Sequence, residues 1–347
     1  MKPNIYYIIP DLGKPDYSFT TFARRILTRD FSGAVNSLRR TEKAIGGVKV
    51  AYQHCIALNR AGINAYPLLM GNYKGNHFNY DLKYIRYQPK ENQVKERDFV
   101  VATEYLPYQG QKFPNATRIM FVQNWINIDR KYKELPGSMG KREIVSAKHT
   151  RYRDLGYDHV ITCGRYISEK LSTLLHEDST AIPNGIDIDV FKPKAESRIE
   201  NRILCLPRKN PHHISRLKQL MSDTNAHIVE ADGLSQSELA VEYQKSDIFA
   251  PTGYPEGYPL PPLEAMACGC TVVGFTGGGG SDYMINNKTA ITSPDGDVES
   301  LAKNLKSVLE DKTTKERIRS GGLRKANEHS LDTMESNVVQ YFNKIIN

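Results

Sequence analysis

The chain has 347 residues, of which 39% are hydrophobic and 25% are charged, and its formal net charge is +8. The length fits two domains of ordinary size, and no apolar run approaches the roughly eighteen residues that span a bilayer. Because the N-terminal apolar run Ile5–Ile9 is also too short for a signal peptide, we expect a cytoplasmic protein that is neither secreted nor embedded in a membrane.

The first half alternates short apolar runs with helical patterns, which predicts an α/β domain built on a parallel sheet. After Ile5–Ile9, a long and mostly polar segment, residues 11–45, leads to Gly46 and Gly47. Apolar residues at helical spacing follow these glycines, and Gly62 marks the end of that helix. Further strands are predicted at Asn64–Met70, Phe99–Thr103, Arg118–Val122 and His159–Cys163.

Positive charge is concentrated in this first half. Residues 1–180 carry 28 Lys and Arg against 17 Asp and Glu, whereas residues 181–347 carry 19 against 22. The densest basic segment is interpreted either as a solvated helix face or as a surface for anionic lipid or another phosphate-bearing acceptor. Nucleic acid is not expected as a partner, since no reading motif accompanies the charge. The basic residues of this segment are Arg130, Lys131, Lys133, Lys141, Arg142, Lys148, Arg151 and Arg153.

The second half resumes the alternation after a segment rich in turn residues. This segment, Thr180–Pro193, contains a Pro-Asn-Gly turn sequence and is interpreted as the interdomain linker. One later helix is marked by apolar residues on a single face, Val298–Glu310, with Asp297 as its N-cap. Strands are predicted at Ile203–Leu206, His227–Glu230, Ile248–Ala250, Thr271–Phe275 and Ala290–Thr292.

The segment between Pro251 and Asp282 carries the most chemical information. A loop rich in glycine, proline and tyrosine follows a predicted strand here. Pro262 is suited to the first position of a short helix, and Gly269 is suited to the position after its end. The start of such a helix favours a phosphate group, and it lies at the sheet edge where open α/β sheets bind ligands.

Two carboxylates flank this helix start. Glu256 lies on the loop and Glu264 in the first helical turn. Ionised carboxylates would repel a phosphate, but they accept O–H bonds from hydroxyl groups. A ligand with phosphates in the middle and polyols on both sides, such as a nucleotide sugar, satisfies this layout. The alternative interpretation is that Glu264 only complements the helix dipole and that Glu256 is a solvated loop residue.

The spacing of these glutamates within EGYPLPPLEAMACGCTVVGF, residues 256–275, resembles the signature of retaining glycosyltransferases of the GT-B fold, glycosyltransferase family 4 in particular. The resemblance implies two Rossmann-like α/β domains whose parallel sheets face a central cleft. It also implies that Glu256 contacts the hydroxyls of the donor sugar and that Glu264 holds the ribose hydroxyls. The intervening backbone would approach the sugar and the diphosphate, and its residues are Gly257, Tyr258, Pro259 and Leu260.

Weaker parts of the resemblance extend along most of the chain. Gly46 and Gly47, preceded here by the unusually long segment 11–45, are similar to a glycine loop whose amides face the diphosphate. The turn Asn184–Asp187 resembles an element at the domain junction, and Gly278–Asp282 resembles a glycine-rich element that ends in an acid. The resemblance implies an acceptor-side domain at residues 1–185, a donor-side domain at 186–328 and a C-terminal helix at 329–347 that crosses back to the first domain.

Two departures from the family pattern concern site residues. Family members commonly have an Arg and, several residues on, a Lys, which together neutralise the diphosphate. Here Arg208 and Lys209 are adjacent, and adjacent side chains on an extended segment point in opposite directions. Both are therefore candidates, with Arg216 and Lys218 in reserve. Gln123 stands where many members have a His, so it can hydrogen-bond a sugar or acceptor hydroxyl but cannot act as a general base.

Residues and resemblance together predict a retaining glycosyltransferase that moves a sugar from a nucleotide-diphosphate donor to an acceptor hydroxyl, in polysaccharide or lipid-linked glycan biosynthesis. The expected partners are this donor, a glycan or lipid-linked acceptor, and the anionic inner face of the membrane as a peripheral contact. No metal cofactor is expected, because the D-x-D match at Asp187–Asp189 belongs to the junction turn. Two alternatives stay open: a nucleotide-sugar 2-epimerase of the same fold, and a non-catalytic partner subunit that has lost the donor site.

Overall fold

The apolar runs of the first half form a seven-stranded parallel sheet in the computed structural model, which describes residues 2–9, 46–70, 80–105, 107–127, 131–134, 142–146, 151–194 and 198–346. All five residues of its first strand are buried, as expected for a strand covered on both faces. In order across the sheet, the strands are β3 (Ile85–Arg86), β2 (Ala65–Leu69), β1 (Ile5–Ile9), β4 (Phe99–Thr103), β5 (Thr117–Val122), β8 (His159–Thr162) and β9 (Thr180–Ala181).

The first described helix, α1 (Gly46–Arg60), begins at the glycine pair and buries the apolar face that the sequence predicts. Its residues Cys55 and Leu58 are fully buried. The opposite end of the chain contributes to the same core, since Phe342 packs its ring against those of Tyr7 and Phe99 at centroid distances of 6.4 and 6.3 Å. Phe342 is itself fully buried, which is worth about 2 kcal/mol to the folded state.

The second half forms a five-stranded parallel sheet with helices between its strands. In order across the sheet, the strands are β11 (His227–Glu230), β10 (Ile199–Cys205), β12 (Ser246–Phe249), β13 (Thr271–Phe275) and β14 (Ile291–Ser293). The remaining helices are α2 (Arg165–Leu175), α3 (Pro211–Leu220), α4 (Gln236–Lys245), α5 (Pro261–Ala267), α6 (Val298–Glu310), α7 (Lys312–Glu328) and α8 (Leu331–Ile346). The predicted N-cap of α6 is confirmed, because the Asp297 carboxylate accepts a hydrogen bond from the Ser300 amide at 2.9 Å.

The chain divides into two compact units. The first comprises residues 1–121, 129–160 and 338–347, and the second comprises residues 122–128 and 161–337. The domain limits predicted from the sequence, 1–185, 186–328 and 329–347, stay a prediction. The long segment 11–45 lies outside the described residues.

The basic segment of the first half forms no α-helix where its backbone is described. Residues Lys131–Glu134 (β6) and Arg142–Ser146 (β7) pair as antiparallel strands, so the interpretation as a helix face is wrong. Alternation of charged and apolar residues suits a two-stranded ribbon at least as well as a helix. Arg151 and Arg153 are exposed, whereas the other basic side chains of this segment lie outside the part of the chain whose side chains are described. No helix in the described ranges is long and apolar enough to cross a bilayer.

A histidine is buried in the core of the first unit. His54, on α1, is fully buried, and its Nδ1 lies 3.0 Å from the Tyr7 hydroxyl oxygen. Its ring stacks on Phe121 at a centroid distance of 5.1 Å, and its Nε2 has no hydrogen-bond partner among the described residues. Burial lowers the pKa of His54 to about 3, because the charged imidazolium would lose its hydration there.

This burial predicts acid sensitivity of the first unit. The unfolded chain takes up a proton on His54 near its ordinary pKa of 6.5, so the stability from neutral burial is complete above that pH and is lost as the pH falls toward 3. Between pH 7 and 5, wild-type protein should lose about 2 kcal/mol more stability than a His54→Gln variant. Urea titrations at pH 7 and pH 5, monitored by hydrogen exchange of the α1 amides, measure this difference in stability. Substitution of the exposed His227 by Gln is the control, and equal pH dependence of wild type and His54→Gln would contradict the prediction.

Candidate functional site

The site forms where the chain order of the second sheet reverses. Strand β10 has β11 on one side and β12 on the other. The chain therefore continues toward one edge of the sheet after β10 and toward the other edge after β12. Open α/β sheets bind ligands outside the carboxyl ends of strands at such a switch point. Strand β10 ends at Cys205 and leads to Arg208 and Lys209, and β12 ends at Phe249 and leads to the loop that carries Glu256. Parallel pairing therefore brings two predicted site segments to one edge.

An ion pair joins these two segments. The Lys209 ammonium nitrogen Nζ lies 2.7 Å from Glu256 Oε1, and the same nitrogen donates to the carbonyl of Pro255 at 2.9 Å. The side chains are 38% and 29% exposed, so the pair sits at the protein surface and stays within reach of a ligand. The sequence predicts a role for each residue, but it does not predict that they contact one another.

The backbone at Glu256 is held by the glycine-rich element that follows β13. The Glu256 amide donates to the Gly277 carbonyl at 2.7 Å, and the Gly279 amide donates to the Glu256 carbonyl at 3.2 Å. Gly277 and Gly278 have φ values of +65° and +89°, a conformation that residues with a side chain rarely adopt. The glycines of this element therefore fix the position of Glu256 in the loop.

Asp282, at the end of the same element, caps a helix. Its Oδ1 accepts a hydrogen bond from the Tyr166 amide at 2.9 Å, in the first turn of α2, while Oδ2 is buried without a hydrogen-bond partner among the described residues. Burial raises the pKa of Asp282, although the amides of Tyr166 and Arg165 act in the opposite direction. The glycine–acid element predicted from the sequence thus links Glu256 to the start of α2.

Gly257 is where three backbone segments come together. A Cβ atom added to Gly257 would overlap the carbonyl oxygen of Gln123, and one added to Gly279 would overlap the carbonyl oxygen of Gly257. Gln123, a predicted contact for sugar or acceptor, therefore lies directly beside the loop. Its carbonyl also accepts a hydrogen bond from the Cys163 thiol at 3.4 Å, and its side chain is half-buried.

Tyr258, the second tyrosine of the loop, points into the protein. The Tyr258 ring is buried, and its hydroxyl oxygen lies 2.8 Å from Nδ1 of His329. Burial raises the pKa of Tyr258, so this group is a neutral phenol at physiological pH. The carbonyl of the next residue, Pro259, accepts a hydrogen bond from the Tyr283 hydroxyl. The Tyr258 side chain and the Pro259 carbonyl thus anchor the loop, and Pro259 has no N–H group to donate to a ligand.

Glu264 is buried in the first turn of α5, which begins at Pro261 and ends at Ala267, one residue earlier at each end than the sequence predicts. Its side chain is 7% exposed, and the hydroxyl of Tyr243 donates to Glu264 Oε2 at 3.5 Å. Burial and the nearby carboxylate raise the pKa of Tyr243 well above its usual value. Leu260 is the N-cap of the helix, and Gly269 ends it with φ of +80°. Neither Glu264 nor Glu256 is thus a freely solvated glutamate.

The other predicted cations lie in different surroundings. Arg208 is exposed on its turn and makes no hydrogen bond or ion pair with a described residue. The two reserves on α3 are engaged elsewhere, since Arg216 pairs with Glu299 at 3.1 Å and Lys218 pairs with Glu230. Gly46 and Gly47 are the first residues of α1 in the other unit, and a Cβ added to Gly46 would meet no atom of a described residue within 4 Å.

The residues that anchor the loop on the side of α3 are not predicted from the sequence. Asn210 donates a side-chain hydrogen bond to the Tyr254 carbonyl at 2.9 Å, and His213 Nε2 lies 3.0 Å from the Tyr254 hydroxyl oxygen. Burial, together with the neighbouring His212, lowers the pKa of His213. The available signal was that these residues follow the same turn as Arg208, but their partner lies more than forty positions further along the chain.

The D-x-D match is explained by its own turn. Oδ1 of Asp187 accepts hydrogen bonds from the amides of Asp189 and Val190, at 3.0 and 3.2 Å. Such a carboxylate satisfies local backbone donors, as Asp commonly does in turns. Across the ranges that the structure covers, no three His, Cys, Asp or Glu side chains form a cluster that could hold a metal ion.

Two α/β units on parallel sheets, with the candidate residues at the switch point of the second, define a protein of the GT-B architecture. Residues 210–325 match the family model described as glycosyl transferases group 1. An α-1,6-glucosyltransferase of Actinobacillus pleuropneumoniae serotype 7 (strain AP76) is 25% identical over 253 residues, covering 67% of this chain and 69% of that protein. A GDP-mannose-dependent α-(1-6)-phosphatidylinositol monomannoside mannosyltransferase of Mycolicibacterium smegmatis is 23% identical over 237 residues, covering 50% and 62%.

Solved structures agree with this architecture over nearly the whole chain. Sucrose-phosphate synthase from Thermosynechococcus elongatus has a TM-score of 0.68 at 15% identity, covering 99% of both chains. Anabaena HepE, solved in complex with UDP and glucose, has a TM-score of 0.63 at 14% identity, covering 99% of this chain and 100% of that one. At these identities the likeness establishes the fold, and the predicted GT-B fold is confirmed.

Proposed function

We propose that this chain is a retaining glycosyltransferase, similar to glycosyltransferase family 4, that moves a sugar from a nucleotide-diphosphate donor to an acceptor hydroxyl. The observation that carries the proposal is the Lys209–Glu256 pair at the switch point of the second sheet, with Glu264 eight residues further on in the first turn of α5. The match of residues 210–325 to glycosyl transferases group 1 and the names of both curated relatives support it.

Each side chain has a role that follows from its charge. Glu256 is partly exposed and paired with Lys209, so its carboxylate oxygens can accept hydrogen bonds from hydroxyls of the donor sugar. Glu264 is deeper and would accept the ribose hydroxyls. The turn that carries the two candidate cations, Arg208 and Lys209, would bring positive charge to a departing diphosphate, and the backbone from Gly257 to Leu260 would line the sugar and the diphosphate. Groups held in place before the reaction lower the barrier most where charge develops.

The transfer step needs no base from the protein. The bond between the anomeric carbon and the phosphate oxygen breaks, and the acceptor oxygen forms the new bond on the same face of the sugar. The configuration is retained because the new bond forms on the face that the phosphate leaves, and the proton of the acceptor hydroxyl passes to the leaving phosphate oxygen. Gln123, in the place of a family His, can donate a hydrogen bond to the sugar or the acceptor in this scheme. We therefore also propose that transfer proceeds without a metal cofactor.

The acceptor is proposed to be a glycan or a lipid-linked glycan. The Mycolicibacterium smegmatis relative is named for a phosphatidylinositol mannoside, and residues 1–180 of this chain carry the excess of positive charge. A basic acceptor-side domain suits a phosphate-bearing acceptor and a peripheral contact with the anionic inner face of a membrane. The Anabaena neighbour was solved with UDP and glucose, and the Mycolicibacterium smegmatis relative is named as GDP-mannose-dependent. UDP and GDP are therefore the first nucleotides to test.

The test is a thermal-shift panel of UDP, GDP, TDP, CDP and ADP, followed by the intact donor sugars of the base that binds. A nucleotide at a hundred times its dissociation constant should stabilise the protein by about 2.7 kcal/mol. Transfer to an acceptor with retained anomeric configuration, also in the presence of EDTA, is the expected result. No shift with any base would favour a non-catalytic subunit, and 2-epimerisation without an acceptor would favour the epimerase.

A further inference from the structure

Arg208 and Lys209 are neighbours in the sequence, but their side chains have different surroundings. The Lys209 side chain turns toward the loop after β12, whereas the Arg208 side chain is exposed and contacts no described residue through a hydrogen bond or ion pair. The two residues lie in the turn after β10 rather than on the extended segment that the sequence predicts, and this turn directs their side chains into different surroundings. The two cations therefore cannot be treated as equivalent phosphate ligands.

The Lys209 side chain contacts the loop after β12 from its Cβ atom to its ammonium group. Its stem passes Gly253 closely, since a Cβ on Gly253 would lie 3.5 Å from the Cβ of Lys209. Its ammonium then donates to the Pro255 carbonyl at 2.9 Å and lies 2.7 Å from Glu256 Oε1. An ammonium has three N–H donors, so these contacts use two of them.

Arg208 stands where an anion is favoured. The helix α3 begins three residues later, its first turn contains no acidic residue, and its N-cap Asn210 makes no side-chain cap. The Asn210 side chain instead donates a hydrogen bond from Nδ2 to the Tyr254 carbonyl at 2.9 Å. A helix start of this kind attracts negative charge, and an Arg guanidinium matches the oxygens of a phosphate in a bidentate geometry.

We propose that Lys209 is a positioning residue that holds Glu256 for the donor sugar, which leaves Arg208, of the two candidates that the family resemblance offers, as the cation available to the donor diphosphate. This division of roles rests on the proposed function. If Lys209 left the loop for the phosphate, the Glu256 carboxylate would face the diphosphate without a compensating charge. With the pair intact, Glu256 keeps its second oxygen for a sugar hydroxyl, and the diphosphate meets Arg208 as a separate positive charge.

The test compares Arg208→Gln and Lys209→Gln by calorimetry with the nucleoside diphosphate and monophosphate of the base that binds wild type. Arg208→Gln should weaken diphosphate binding by about tenfold to a hundredfold, the usual cost of losing a hydrogen-bonded charge pair, and leave monophosphate binding nearly unchanged. Lys209→Gln should leave both affinities within about threefold and should instead lower kcat with the intact donor by about a hundredfold. Lys306→Gln, which removes a cation paired with Asp223 at 2.7 Å, is the matched control.

A double variant separates positioning from a general structural role. In a Glu256→Gln background, Lys209→Gln should reduce kcat no further, because the group that it positions is already gone. Lys209→Arg should restore part of the lost kcat. A loss of diphosphate affinity in Lys209→Gln equal to that in Arg208→Gln, or additive losses of kcat in the double variant, would overturn the inference while leaving the proposed function intact. Absence of nucleotide binding by wild type would overturn both.

Discussion

Replacing Glu256 by Gln should lower kcat by about a hundredfold to a thousandfold while leaving the affinity for the free nucleoside diphosphate within a few fold. Loss of one preorganised group that acts on developing charge has this order of effect. Glu256 is assigned to the sugar alone, so a ligand without sugar should not sense the change. Its backbone bonds to Gly277 and Gly279 do not involve the side chain, so the loop should keep its shape.

Glu264→Gln supplies the contrast in the same experiment. Glu264 is buried beside Tyr243 and is assigned to the ribose, so its substitution should weaken binding of the free nucleotide by about tenfold or more. Initial rates with the intact donor and calorimetry with the free nucleotide separate the two effects. Glu299→Gln, which removes an exposed carboxylate paired with Arg216 at 3.1 Å, should change neither quantity. Equal losses of nucleotide affinity in Glu256→Gln and Glu264→Gln would refute the division of roles.

The second large effect is steric. Gly257→Ala should reduce turnover by about a hundredfold or more, because the new methyl group would overlap the carbonyl oxygen of Gln123 and force the loop or its neighbour to move. The chain cannot relieve this overlap by a rotamer change, since the obstructing atom belongs to the backbone. Thermal unfolding should also show a lower Tm, because both displaced segments belong to the second unit.

A glycine in the same loop serves as the control. At Gly253 an added Cβ would lie 3.5 Å from the nearest atom, an ordinary contact, so Gly253→Ala should keep most of the wild-type Tm. Steady-state kinetics and thermal unfolding of both variants provide the comparison. If Gly257→Ala retained wild-type turnover and Tm, the close packing of residues 123, 257 and 279 would be unimportant for catalysis and stability, and the prediction would be wrong.

Local patterns were sufficient to predict many elements of the fold. The helix Val298–Glu310 and its N-cap Asp297 follow from apolar spacing and a capping side chain within a dozen residues. The strands Phe99–Thr103 and Thr271–Phe275 are likewise where the sequence places them, because both are short, continuous apolar runs. The pattern of the basic segment is ambiguous. One of its two interpretations is a solvated helix face, and the described part of this segment contains an antiparallel ribbon instead.

The candidate site could be predicted only residue by residue. The sequence points to Glu256, Lys209 and Gln123 one at a time, through motif spacing and resemblance. Their mutual contacts involve residues far apart in the chain, which no local periodicity encodes. The pairing of β10 with β12 decides that Lys209 reaches Glu256. The packing of three backbone segments, at residues 123, 257 and 279, decides that Gln123 lies beside Gly257.

The sequence by itself therefore determined the α/β alternation, the helix and turn boundaries near Pro and Gly residues, and the residue types available for binding hydroxyls and phosphates. Those properties depend on interactions within about ten positions, such as capping, backbone φ restriction and the periodic burial of apolar side chains. Only the tertiary structure decided that Lys209 is bound to the loop while Arg208 is exposed, and that Glu264 is buried against Tyr243. These outcomes depend on which strands pair, because strand pairing is what brings distant segments to one sheet edge.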